Sequence, residues 1–242
     1  QWFIEISSMP CFFFTIKGQL LKILFWFTLE YISLILEDKE VQEYLNFLKP
    51  VKPEEVWNTE GANRELGTNS FYSFMPAASG KINERAAAFG ARVWIEQRKG
   101  GIDKTFIYTL HQSDTIMYYG GYKKLIGFDR SVTPAAVASA ITAWCIDGLD
   151  NIPLKPRPGL VEGLFSNKKR SCWVVFDDHS MPGNLSLDKN KLPSKIKLYD
   201  VMGNSPGENG GKIKIVRTPI FAVSEGILPA KFAEICRNAI AK

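Results

Sequence analysis

Apolar and small residues fill positions 133–148, TPAAVASAITAWCIDG, so densely that the segment has almost no polar side. Thr133 is a good helix N-cap, Pro134 fits the first helical position, and Asp147 and Gly148 mark a stop. A helix of this kind must be buried on more than one side, so the pattern predicts a central helix packed on a sheet. On either side, residues 92–128 and 171–220 alternate apolar with polar positions, as half-buried strands do. Residues 91–98 (ARVWIEQR) and 104–111 (KTFIYTLH) read as paired strands about a hairpin at 99–103, with a third strand at 115–119. Before them, residues 82–89 read as a short helix that stops at Gly90.

After the central helix, three prolines in residues 151–159 predict an extended crossover. Strands are expected at 171–176, 195–201 and 212–216, the last continuing toward Val223, with loops at 177–193 and 202–211. A closing helix is expected at 229–241, where Phe232, Ile235, Cys236 and Ile240 form one stripe. The order of elements predicts an α+β fold, with an antiparallel sheet packed on a buried helix at 133–148. The body is expected to span 57–242, preceded by an apolar helical arm at 1–56.

The arm contains CFFFTI at 11–16, ILFWFTL at 23–29 and an amphipathic helix at 37–48. Lys17, Lys22 and Glu30 interrupt its apolar runs, which disfavours a clean membrane span. Residues 1–36 therefore carry three readings: a helix buried against the domain or another subunit, a membrane-associated anchor, or a non-native extension. Protein contact, with a partner or a second copy, is expected through 11–36.

Composition changes this picture at two points. The four cysteines, Cys11, Cys145, Cys172 and Cys236, include no Cys-x-x-Cys pair, and His111 and His179 are the only histidines. Zinc is thus not expected, and Cys145 and Cys172, in apolar runs, read as buried free thiols suited to the cytoplasm or another reducing compartment. The net charge of +5 is uneven: residues 151–242 carry 15 basic and 8 acidic side chains (+7), residues 1–150 carry 15 and 17 (−2). That asymmetry points to an anionic partner for the last third.

The candidate chemistry follows from the charge. In KIKLYDV at 195–201 and KIKIV at 212–216, lysines alternate with aliphatic residues, so a hairpin of the two would place Lys195, Lys197, Lys212 and Lys214 on one side. Lys168, Lys169, Arg170 and Arg217 would extend the strip, and Tyr118, Tyr119 and Tyr122 beside a Gly-Gly turn offer rings for base stacking. The leading expectation is a nucleic-acid-binding protein, DNA or RNA, that holds phosphates on this basic ribbon and self-assembles. The competing structural reading is that exposed strands carry lysine to block edge pairing.

Two further functions remain in play. Asp177 and Asp178, before His179, end a strand, and with Glu96 in VWIEQRK they outline a Mg²⁺-dependent nuclease with strand-borne carboxylates. The third is an accessory subunit of a membrane complex held by 11–36. No cofactor is expected outside the nuclease reading, because the glycine-rich loop 202–211 joins two strands and lacks phosphate-loop spacing.

Overall fold

A computed structural model describes residues 12–16, 19–23, 56–61, 80–107, 125–126, 130–178 and 185–241. The chain divides into two compact units, one of residues 1–86 with 96–136, the other of 87–95 with 137–242.

In the first unit, β1 (Phe12–Ile16) and β2 (Gln19–Ile23) form an antiparallel pair, and β1 also pairs antiparallel with β3 (Val56–Gly61). The apolar segment was expected to be helical; at 12–16 and 19–23 it is strand instead. Five-residue apolar runs such as FFFTI carry no period that separates helix from strand, and flanking aromatics favour the pleated form. The helix expected at 37–48 lies outside the described residues.

Helix α1 (Gly80–Gly100) is continuous, which corrects three expectations together. It does not stop at Gly90, residues 91–98 are not a strand, and 99–103 is not a hairpin turn. Ala87, Ala91 and Ile95 are buried at four-residue spacing, a helical stripe that the polar neighbours had disguised as alternation. β4 (Lys104–Ile107) then pairs with β3, and in parallel, so the antiparallel meander is replaced by a β2-β1-β3-β4 sheet. The strand expected at 115–119 lies outside the described residues.

Helix α2 (Pro134–Ile146) is the expected central helix. The Thr133 hydroxyl accepts a hydrogen bond from the Ala136 N–H at 3.3 Å, and Gly148 takes the left-handed conformation (φ 67°) past the end. β5 (Asp150–Asn151), β6 (Leu160–Ser166) and β7 (Arg170–Asp177) follow. Then come β8 (Ser186–Asp188), β9 (Lys197–Tyr199), β10 (Lys212–Lys214), β11 (Ile220–Glu225), α3 (Pro229–Asn238) and β12 (Ile240–Ala241). Five strands form an antiparallel sheet in the order β5-β6-β7-β11-β9, and three form a second in the order β10-β8-β12, giving a mixed α+β fold.

Alternate residues of the five-stranded sheet supply two cores. Phe165, Cys172, Val174, Phe176, Phe221 and Val223 pack with Ala87, Ala91 and Ile95 of α1 and with Ala138, Cys145 and Ile146 of α2. The other face, including Leu164, Trp173, Val175 and Ala222, packs with Phe232, Ala233 and Cys236 of α3 and with Leu187, Ile213 and Ile215 of the second sheet. β6 and β7 are buried on both faces, the usual setting for a strand without clean alternation.

The expected lysine ribbon does not form. β9 pairs with β11 at the edge of the five-stranded sheet, while β10 pairs with β8 at the edge of the other. Each strand keeps its alternation, but alternation fixes which side chains face out, not which strand is the neighbour. Residues 212–223 are also two strands, β10 and β11, rather than one.

Candidate functional site

The expected phosphate-binding lysines are exposed but divided. Lys195 and Lys197 flank buried Ile196, and Lys212 and Lys214 flank buried Ile213, as the sequence implies. On β10, Lys212 stands opposite Asp188, and in the adjoining loops Lys189 pairs with Glu208 at 3.0 Å, so carboxylates sit among these cations. Lys168 and Lys169 are exposed in the β6–β7 turn, where the Asn167 Oδ1 accepts from the N–H groups of Lys169 and Arg170, both at 2.9 Å. Arg217 is half-buried; its carbonyl accepts from the Arg92 Nη1 at 2.9 Å, and its own Nη1 reaches the Asp177 carbonyl at 3.5 Å. Tyr118, Tyr119 and Tyr122 lie outside the described residues, as do His111 and His179.

The nuclease constellation loses its strand-borne geometry. Glu96 lies on α1, is buried, and is engaged by Lys99 one turn along at 2.8 Å. A Glu-x-Lys strand motif is therefore not present. Asp177 ends β7 and is buried, with its N–H donating to the Val216 carbonyl at 3.0 Å, and Asp178 donates to the Gly159 carbonyl at 3.3 Å. Among the described residues no three His, Cys, Asp or Glu side chains gather to hold a metal ion. Among the same residues no helix is long and apolar enough to cross a membrane.

A polar cluster that sequence reasoning missed is the most elaborate in the second unit. Glu162, buried on β6, receives Arg157 through Nε and Nη2, both at 2.8 Å, and Arg237 of α3 through Nε at 3.1 Å and Nη2 at 2.8 Å. The Trp173 indole N–H adds a fifth donor at 3.0 Å. Arg237 also reaches the Lys155 carbonyl at 2.6 Å, and Arg157 the Arg237 carbonyl at 3.3 Å, so the proline-rich crossover is tied to α3. Burial alone would push the Glu162 carboxyl up, but the hydrogen bonds from Arg157 and Arg237 and their positive charges outweigh it and hold the group below its ordinary value. A carboxylate kept ionised with two forked guanidiniums on its oxygens is suited to neither proton donation nor nucleophilic attack. Its sequence signal was a single Glu in the otherwise apolar LVEGLF.

The buried thiols are equally closed. Burial, then the neighbouring Cys145 thiol, raises Cys172 well above the usual cysteine range, and burial with the Glu162 charge pushes Cys236 up to about 12. Neither is a nucleophile at neutral pH.

Among the described residues one aromatic side chain is counted as exposed rather than partly buried. Trp144, in the last turn of α2, is 50% exposed. Its ring meets the Tyr199 ring edge-on at 5.3 Å, and the Arg170 guanidinium lies 5.5 Å from its centre. The Asp200 carboxylate fixes the turn after Tyr199 by accepting from the N–H groups of Met202 and Asn204 at 2.8 and 2.9 Å.

No family model matches the chain, and no curated protein does either. Among solved structures it is similar to a family 39 glycoside hydrolase from the gut symbiont Bacteroides cellulosilyticus WH2, at 16% identity and TM-score 0.51, over 76% of this chain and 37% of that one. A conserved exported protein from Bacteroides fragilis matches at 12% identity and TM-score 0.45, over 80% and 44%. A family 30 subfamily 8 xylanase from Clostridium acetobutylicum matches at 9% identity and TM-score 0.37, over 70% and 42%. The chain thus spans less than half the length of each of these proteins.

Proposed function

We propose that this chain is part of a carbohydrate-active protein and that its two-sheet body engages polysaccharide without itself supplying the acid and base groups. The observation that carries this reading is the fold shared with the family 39 glycoside hydrolase over 76% of the chain. Two features of the chain agree with it. The most elaborate carboxylate site, Glu162, is held by five donors, and Glu96 is engaged by Lys99, so both hold structure together. The half-open Trp144 offers the kind of aromatic surface on which a ring-shaped, weakly polar ligand rests.

Electrophoresis of the chain through native gels containing neutral arabinoxylan or hydroxyethyl cellulose, neither of them a polyanion, tests the reading. Retardation relative to a polysaccharide-free gel is expected. Unchanged mobility in both gels overturns it, and the second outcome of that case, retention of single-stranded DNA or RNA, assigns the chain a different ligand.

That second outcome belongs to a polyanion-binding reading, which the exposed Lys168, Lys169, Lys195, Lys197, Lys212 and Lys214 favour as separate clusters instead of one ribbon. In that case replacing Lys195, Lys197, Lys212 and Lys214 by Ala flattens the salt dependence of binding.

A further inference from the structure

Strand register places a small set of unlike side chains around Trp144. On the face of the five-stranded sheet that α2 covers, Cys172, Val174, Phe221 and Val223 are core residues, and alternation puts Arg170, Glu225, Lys197 and Tyr199 on that same face. Arg170 stands opposite Glu225, Lys197 opposite Val223, and Tyr199 opposite Phe221. Trp144, in the last turn of α2, meets two of them directly: its ring lies 5.3 Å from the Tyr199 ring and 5.5 Å from the Arg170 guanidinium.

This surface differs from both a core and a phosphate site. A ring that is half exposed yet held edge-on by Tyr199 and stacked by Arg170 loses little freedom when a ligand settles on it. The charged rim carries both signs, Arg170 and Lys197 against Glu225, which gives a polyanion no continuous attraction. It does offer donors and an acceptor around an aromatic plane. A pyranose has the matching chemistry: an apolar C–H face for the ring and hydroxyls that both donate and accept.

From this juxtaposition we infer that Trp144, with Tyr199 and Arg170, is a stacking platform for a sugar unit of a polysaccharide, with Glu225 and Lys197 placed to meet its hydroxyls. The inference rests on the carbohydrate reading above and locates it. A flat contact of one ring discriminates poorly between sugars, so the platform tolerates several polysaccharides.

The test uses the full chain in native gels containing neutral arabinoxylan or hydroxyethyl cellulose, with dissociation constants taken from mobility against polysaccharide concentration. Trp144→Ala is expected to weaken retardation about tenfold, the size of one lost stacking contact. Trp144→Phe should retain part of it and Tyr199→Ala lose a smaller part, with melting temperatures near that of the wild type. If Trp144→Ala does not fold, Trp144→Phe and Arg170→Gln decide by the same measurement. Wild-type retardation that survives every one of these substitutions overturns the platform and leaves the carbohydrate reading standing. A wild type that no polysaccharide retards overturns the reading, and the platform with it.

Discussion

On the α3 side of the five-stranded sheet, polar groups are closed into one network: Glu162 takes five donors from Arg157, Arg237 and Trp173, and α3 with the second sheet seals the rest. On the α1 and α2 side the helices set small residues, Ala87, Ala91 and Ala138, against Phe165, Phe176 and Phe221 of the sheet, and the polar atoms are less well served. The hydroxyls of Ser139 and Thr142 on α2 are buried and meet no hydrogen-bond partner among the described residues, while Trp144 stands half-open at the helix end. One face adds a set of directional contacts to its apolar core. The other relies on close packing of a nearly all-apolar helix, which tolerates an open edge. The contrast separates a face whose polar groups are closed from one that leaves an exposed ring at its edge.

The sharpest way to break the contrast is at Glu162. Glu162→Gln leaves two guanidiniums facing a neutral amide, and removing one partner of such a cluster costs about 3 kcal/mol, the low end for buried pairs because both arginines are partly exposed. A fall in Tm of about 6–12 °C is expected at neutral pH. Because the folded-state pKa of Glu162 lies below its unfolded value, its contribution is complete above the ordinary glutamate range and is lost as pH falls through the lowered folded value. Urea unfolding at pH 7 and again at pH 3 should therefore show the gap between wild type and Glu162→Gln shrinking with acid. A gap that stays constant would mean the carboxylate is not held ionised. By contrast, Glu162→Met with Arg157→Leu and Arg237→Leu, which removes all three charges at once, should cost far less than the single change.

A second, smaller effect tests the helix-side packing. A Cβ at Gly163 of β6 would lie 2.8 Å from the Phe165 Cε2 and 2.9 Å from the Val174 Cγ1, so the strand has no room for a side chain there. Gly163→Val should cost about 1–3 kcal/mol by overpacking, read as a lower urea midpoint with an unchanged slope. A midpoint equal to the wild type's would show that this core is loose enough to absorb the three carbons of an isopropyl group.

These sites also mark what the sequence could and could not reveal. α2 was legible because cap, first-turn proline and stop agree with its composition: Thr133, Pro134 and Gly148 each carry a local reason. α1 was not, since ARVWIEQR satisfies a two-residue period almost as well as a helical one, and Gly90, buried within the helix, looked like its end. β6 was not among the expected strands because a strand buried on both faces shows no alternation, and Glu162 and Gly163 interrupt its apolar run. In β9 and β10 the outward lysines were readable but the partners were not: pairing with β11 and with β8 is decided by the whole register. Trp144 was hidden for a related reason. In a helix apolar on every side, nothing local distinguishes the ring that faces out from those that face in.

The least disruptive test of the contrast lies within α2. Thr142 is fully buried, and a hydroxyl taken out of water without a partner is unfavourable by roughly 1–3 kcal/mol. Valine has nearly the same shape and a similar helix propensity, so Thr142→Val removes the polar atom while leaving the packing against the sheet intact. A gain of about 1 kcal/mol is expected, seen as a Tm higher by about 2–4 °C in calorimetry. A lower Tm would show that the hydroxyl has a partner, such as a bound water, and would narrow the contrast between the two faces to Ser139.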